Sequence, residues 1–477
     1  YRRQRQMCIR DRNYTVARVQ KNWKGNTLLG GMVTSVNRAL DQPYLEDFMV
    51  RNAFTAGIDF TQYFKNRLYY IDVKGMLSSL HGSAGAITAL QNSVAHYYQR
   101  ASSADYLGVD PTRRSLTGTG GYVKVGRKGN AKWNFSETFT WSSPGFDLND
   151  MGYMKETDYL MNETEIMYRQ TDIWKIFRYN AFTLSQKNMW NYGGTPFSNN
   201  ASLRWQSMTM NRYEWDVKET FAWNWLDSRL LRGGPDVRFG SYFLTSAKFN
   251  TDKAKRMMFM LKYEGDHNFE GNRFNTISPS LTFRLGNHVY LSGQLDYAWN
   301  TDEMQYVATT SPLSSSSLAP YYYVMGHMDQ KTYGLTLKLQ VNVTPDISIQ
   351  FYGAPFTSIA KYDDFKLAAD TKSHTFENRF QRIDPDQLTY ADGVYTIGEG
   401  AGQMPFRNPD FRFNEFRSNL VARWEYLPGS TLYFVWEHRM SNRDNWYSSG
   451  WGSNLDRMWG LPATNTFMIK MNYWFNL

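Results

Sequence analysis

The sequence predicts an all-β fold: a transmembrane antiparallel β-barrel of about nineteen strands, with short periplasmic turns and long extracellular loops. Three observations predict it. Apolar and polar residues alternate with a period of two through most of the chain, the pattern of a strand with one greasy and one wet face. Aromatic residues reach 17% (33 Tyr, 30 Phe, 16 Trp) although the mean hydropathy is only −0.58, so rings and polar groups are finely interleaved. Short and long connections take turns along the whole length, which soluble sandwiches and propellers have no reason to do.

Taken in order, the clearest strands begin with Trp133, Phe135, Phe139 and Trp141 against Lys132, Asn134, Ser136 and Thr138. Tyr213, Trp215, Val217, Phe221, Trp223 and Trp225 then oppose Glu214, Asp216, Lys218 and Asn224. Val289, Leu291, Leu295, Tyr297 and Trp299 oppose Ser292, Gln294 and Asp296. Tyr333 and the apolar residues at 335, 337, 339, 341 and 343 oppose Thr336, Lys338, Gln340 and Asn342. In the last segment Phe467, Ile469, Met471, Tyr473, Phe475 and Leu477 oppose Lys470, Asn472 and Asn476. Such strands of about 11–15 residues are roughly twice the soluble norm and suit a tilted membrane crossing. Rings gather near segment ends, as interfacial girdles would. The polar set mixes Lys218, Lys338, Arg423 and Lys470 with Glu214, Asp216, Asp296 and Glu425, which suits internal salt-bridging better than a single-signed ion filter.

Short turns fall near Gly25-Asn26, Lys65-Asn66, Gly129-Asn130, Thr171-Asp172, Asn211-Arg212, Thr251-Asp252, Gly286-Asn287, Thr344-Asp346 and Pro428-Gly429. Longer links occupy 38–48, 81–115, 145–155, 191–197, 226–236, 269–273, 302–328, 359–412 and 442–463. Nine turns and nine loops join nineteen strands. Bacterial single-chain barrels usually have an even number, so the count implies about twenty strands in the intact wall, the additional one preceding residue 14. Residues 1–12, YRRQRQMCIRDR, fit no structural period and look like a translated adapter sequence. They hold the single cysteine, Cys8, and a net charge of +4 out of +9. What remains is weakly basic and argues for no nucleic-acid partner. No apolar run is long enough for a membrane-crossing helix.

From Asn13 to Leu477 the chain resembles a family of outer-membrane barrels of unknown function known from Bacteroidota and other Gram-negative bacteria. The likeness is carried by NYTVARVQKNW and GGMVTSVNR within 13–38, HGSAGAITALQNSVAHYYQR at 81–100, SSPGFDLNDMGYM at 142–154 and NPDFRFNEFRSNLVARWEYLPGSTLYFVWEHR at 408–439. The resemblance implies a Gram-negative outer-membrane location and a further N-terminal periplasmic domain like family-9 carbohydrate-binding modules. It supplies no activity.

Several constellations are candidate sites. Tyr473, Phe475 and Leu477 form a terminal pattern of the kind the barrel-assembly machinery recognises, or simply end an amphipathic strand. His81 and Ser83, two apart, are candidates for a hydrolase at the outer loops, although no orienting acid or amide is assigned. Segment 83–91, SAGAITALQ, reads as the one helical interruption, capped by Ser83, with Ile87 and Leu90 on one face that must be buried. A loop with its own helix can fold into the lumen, where His96, Tyr97, Tyr98, Gln99 and Arg100 are candidates to line a channel and meet a sugar. Asp147 and Asp150 are candidate lumen ligands in a loop shaped by Asx turns, without the oxygen count for calcium. The longer loop 359–412 reads as a solvated cap with a hairpin turn at Ala391-Asp392-Gly393. No catalytic metal and no cofactor are expected. The expected partners are outer-membrane lipid, the assembly machinery and an extracellular small-molecule or carbohydrate ligand. The expected role is a passage or docking platform, with the hydrolase as the alternative.

Overall fold

A computed structural model describes residues 12–475 apart from 41, 101–104, 224, 314–320 and 445–450. Leu477 of the terminal pattern and the proposed adapter residues 1–11 lie outside the described residues.

The fold is all-β. Nineteen long strands follow one another as antiparallel neighbours in one sheet, the meander order of an up-and-down barrel wall. They are β1 (Arg12–Trp23), β2 (Thr27–Arg38), β3 (Asn52–Phe64), β4 (Tyr69–His81), β5 (Ser115–Arg127), β6 (Trp133–Ser142), β7 (Tyr159–Gln170), β8 (Phe177–Trp190), β9 (Pro196–Thr209) and β10 (Glu214–Trp223). They continue as β11 (Tyr242–Asn250), β12 (Met257–Asn268), β13 (Arg273–Leu285), β14 (Val289–Thr310), β15 (Tyr322–Asn342), β16 (Ile347–Ala368), β17 (Phe411–Leu427), β18 (Ser430–Asp444) and β19 (Thr464–Asn472). All nine expected turns close hairpins, and all nine longer links sit at the opposite end of the strands. Positive φ at Asn66 and Arg67 between β3 and β4, and at Asp392 and Gly393 in the outer hairpin, is what such tight reversals demand.

Ladder registers carry the alternation across the sheet. Leu291 pairs with Leu339, which pairs with Phe351, and that residue with Leu420. Farther along, Phe434 pairs with Ile469 and Trp436 with Phe467. Lys338 and Lys470 take the other face. There charges meet in pairs such as Arg204–Asp216, with Nε 2.7 Å from Oδ1, Lys262–Glu264 at 2.7 Å and Arg439–Glu415 at 2.9 Å. The mixed-sign face therefore holds ion pairs within itself.

Among the described residues, the first and last strands of the ladder have no partner on their outer edges. β1 pairs with β2, β19 pairs with β18, and no pairing joins β1 to β19 among the described residues. Both run in the same direction, because eighteen antiparallel steps separate them. A direct seam would have to be parallel.

Three expectations need correction. Residues 302–328 and 359–412 are not all loop: β14, β15 and β16 reach 22, 21 and 22 residues and continue well past the aromatic level. In Thr301 to Thr310 two register shifts, at Asp302/Gln305 and Tyr306/Ala308, break the alternation that marks a strand. The 369–410 link is also more than a solvated cap. Its strand Phe380–Arg382 pairs with β16, and its hairpin strands bring Ile397 and Phe406 against Val324 and Phe365 in a buried cluster. Two further helices among the described residues, Pro43–Glu46 and Trp451–Trp459, were missed.

In a bilayer, Leu337→Arg should destabilise the wall by about 2–4 kcal/mol, whereas Lys338→Gln on the opposite face should cost far less. Urea titration of folding into vesicles measures both, and equal costs would contradict the assignment of the faces.

Candidate functional site

The polar face of β1–β6 is covered by three inserted segments: residues 39–51, 82–114 and 143–158. Helix α1 (Ala84–Gln91) starts as the sequence suggests. Ser83 Oγ accepts from the Ala86 amide at 3.1 Å and donates to the Glu46 carbonyl at 2.7 Å. Ile87 is fully buried with Tyr98 and Leu116, and Leu90 packs on Val36, Val50, Ala53 and Leu80. Leu80 and Leu116 lie on the charged side of the wall, so α1 sits inside it.

The 143–158 segment joins α1 there. Phe146 packs over Gly118 and Gly120, where a Cβ would overlap its backbone and its ring. Asp147 donates its amide to Ser78 Oγ at 2.9 Å. Its Oδ1 accepts from the Asn149 amide at 2.7 Å, an Asx turn. Its Oδ2 lies 3.0 Å from His96 Nε2, while Nδ1 of the same ring lies 2.8 Å from the Pro144 carbonyl. Arg100 donates to Asp158 at 2.7 Å, as does the Tyr106 hydroxyl at 2.6 Å. Arg38, on the wall, pairs with Asp150 and donates to the Val50 carbonyl at 2.9 Å. The two segments and the wall are thus one packed body.

This placement separates the candidate residues. His96, Tyr97, Tyr98, Arg100 and Asp147 are buried; they build the insert rather than line an open channel. Gln99 is exposed. Asp147 and Asp150 do share the wall of a cavity of about 780 Å³ with Arg38, Leu80, Leu90 and Arg229. Reasoning from sequence missed Arg38, Lys155 and Arg229 there; positive residues a hundred positions apart give no local signal. Burial raises the Tyr98 phenol to about 12, with nearby Asp158 adding to the shift against Arg113 and Arg100. Tyr106 is raised as well, first by burial and then by its bond to Asp158.

His81 and Ser83 are not brought together as a pair. His81 Nε2 lies 3.0 Å from Ser79 Oγ, and Ser83 is occupied in capping α1. Tyr473 and Phe475 are exposed and stack with ring centroids 6.2 Å apart. Among the described residues no three metal-ligating side chains converge.

Over residues 12–477 the sequence matches a family described as a domain of unknown function, DUF5916. The chain belongs to the DUF5916 family. No curated protein matches it. Among solved structures, this DUF5916 chain has a distant likeness to the siderophore receptor PirA from Acinetobacter baumannii. The TM-score is 0.37 and the identity 9%, over 88% of this chain and 70% of that one. At such a distance the receptor lends this DUF5916 protein no ligand.

Two outcomes follow from the packing. Gly118→Val should cost roughly 1–3 kcal/mol of the insert's docking through overpacking; trypsin should then cut faster at Lys155, and unchanged cleavage would contradict the contact. The second concerns pH. The unfolded phenol ionises near 10.0 while Tyr98 holds its proton to about 12. Its contribution is therefore complete below pH 10 and lost as pH rises through that interval. Tyr98→Phe should flatten the stability profile there, measured by urea denaturation.

Proposed function

We propose that this chain is an outer-membrane barrel that serves as a passage or docking platform for an extracellular ligand. The observation that carries the reading is the cavity of about 780 Å³ between the inserted segments and the wall. It combines apolar Leu80 and Leu90 with Arg38, Asp150 and Arg229, a few polar groups in a mostly greasy hollow, as ligand sites are built. Its volume suits a small molecule, and a glycan-derived one is the ligand favoured by the family resemblance. The apolar face, with Leu291, Leu337 and Leu339, would meet outer-membrane lipid.

The two unpaired edges support a wall of one further strand, antiparallel to both β1 and β19 and contributed by chain upstream of Arg12. A preceding carbohydrate-binding domain belongs to the same proposal. The free edge of β19, followed by Tyr473 and Phe475, is what strand addition to the assembly machinery would use. The hydrolase alternative has little in its favour, since Ser83 Oγ already donates to a backbone carbonyl.

The test is electrical. In a planar bilayer, the chain lacking 84–100 should conduct at least severalfold more than the intact chain, because α1 and the residues after it pack against the inner face of the wall. Equal conductance would reject the passage reading.

A further inference from the structure

The apolar face is not apolar throughout. On β6, Trp133 and Trp141 mark the two ends of the outward row, and midway between them stands Glu137. Registers fix its neighbours on the same face: Thr164 opposite, then Gln186 beyond it, with Asn162, Asn188 and Asn199 aligned in the next row. Glu137 accepts from Asn162 Nδ2 at 2.5 Å and from Thr164 Oγ1 at 2.6 Å. Gln186, Asn188 and Asn199 make no side-chain hydrogen bond among the described residues. On β10 the arrangement recurs. Trp215 and Trp223 bracket Glu219, which accepts from Thr245 at 2.7 Å. Elsewhere this face carries Leu291, Leu295, Leu337 and Leu339.

Hydrocarbon offers an amide nothing to bond with, so three unpaired amides and two carboxylates turned toward lipid would each carry a desolvation cost. A side-chain amide both donates and accepts. A patch of amides is therefore complementary to itself, which is what a two-fold contact between identical surfaces requires. Both oxygens of Glu137, and Oε2 of Glu219, already accept from donors on the same wall. The outward face of β6–β10 between its tryptophan levels spans roughly 25 Å by 25 Å. That is about 600 Å² per copy and about 1,200 Å² in all, the lower end of stable specific interfaces.

We propose that the outward face of β6–β10 is a contact between two copies of this chain in the membrane. The inference rests on the outer-membrane reading above. It pairs Gln186, Asn188 and Asn199 of one copy with the same amides of the other and keeps Glu137 out of hydrocarbon.

The experiment uses the chain in lipid vesicles with Cys8→Ser and one new thiol, Gln186→Cys or Leu337→Cys. A short bis-maleimide should give dimers with Gln186→Cys and none with Leu337→Cys. A fluorophore on Leu337→Cys should be quenched by brominated acyl chains, and one on Gln186→Cys should be protected. Adding Asn188→Leu and Asn199→Leu should reduce cross-linked dimer at least fivefold while leaving the Leu337 label quenched. If both labels are quenched and no dimer forms, the contact is wrong and the membrane reading stands. If neither label is quenched, the membrane reading falls and this proposal with it.

Discussion

Everything in this chain depends on keeping two incompatible surfaces on opposite sides of one continuous hydrogen-bonded sheet. A strand that presents Leu335, Leu337 and Leu339 to one side must present Thr336, Lys338 and Gln340 to the other. A slip of one residue in any ladder would exchange the two sets for every strand beyond it. The hairpins prevent this locally. Where the chain reverses through Asn66-Arg67 or Gly429, positive φ fixes the loop length and so the register of the whole pair. The sheet is thus held by many short-range decisions rather than by a central core, and its larger buried clusters lie where loops pack on its polar face or beyond its ends.

That construction explains what could be read from sequence. Alternation and turn chemistry are local signals, so strand order, both faces and all eighteen connections were legible. The signal weakened where the local pattern stopped having a cause. In β14 the ladder shifts register at Asp302/Gln305 and again at Tyr306/Ala308, and each irregularity breaks the period of two although the strand continues. Trp451–Trp459 was unreadable for the opposite reason: a short helix flanked by Ser, Gly and Asn resembles the loop around it.

The candidate site was legible only in its local parts. The Ser83 cap and the burial of Ile87 follow from spacing within one segment. The partners of His96 and Arg100 do not. Asp147 is 51 residues from His96, and Asp158 is 58 from Arg100, and neither pairing leaves a periodic trace. Ring-rich, polar Tyr97-Tyr98-Gln99-Arg100 suggested a channel lining, yet the same composition serves to bury an insert against a wet wall, with Tyr98 packed on Ile87 and Leu116 and Arg100 held by Asp158. Gly118 and Gly120 in β5 are the one available hint, because two glycines on the same face of a strand imply something close above them.

The way the insert is held also decides how a passage could work. Phe146 fits over bare backbone at Gly118 and Gly120, Asp147 is tied to Ser78, and charged groups are buried in pairs. Removing one partner of such a pair leaves the other uncompensated, which is far more costly than separating an exposed pair. A lid that must swing aside in each transport event is poorly served by contacts of that kind. Arg38–Asp150 is different: it borders the cavity, and Asp150 retains 19% side-chain exposure against 3% for Asp147. Arg38 itself is only 7% exposed and must keep a partner, so the carboxylate rather than the guanidinium is the side that meets water. The physical asymmetry therefore places the more adjustable side of the cavity at Asp150, with Arg38 and the His96–Asp147 body as its fixed wall.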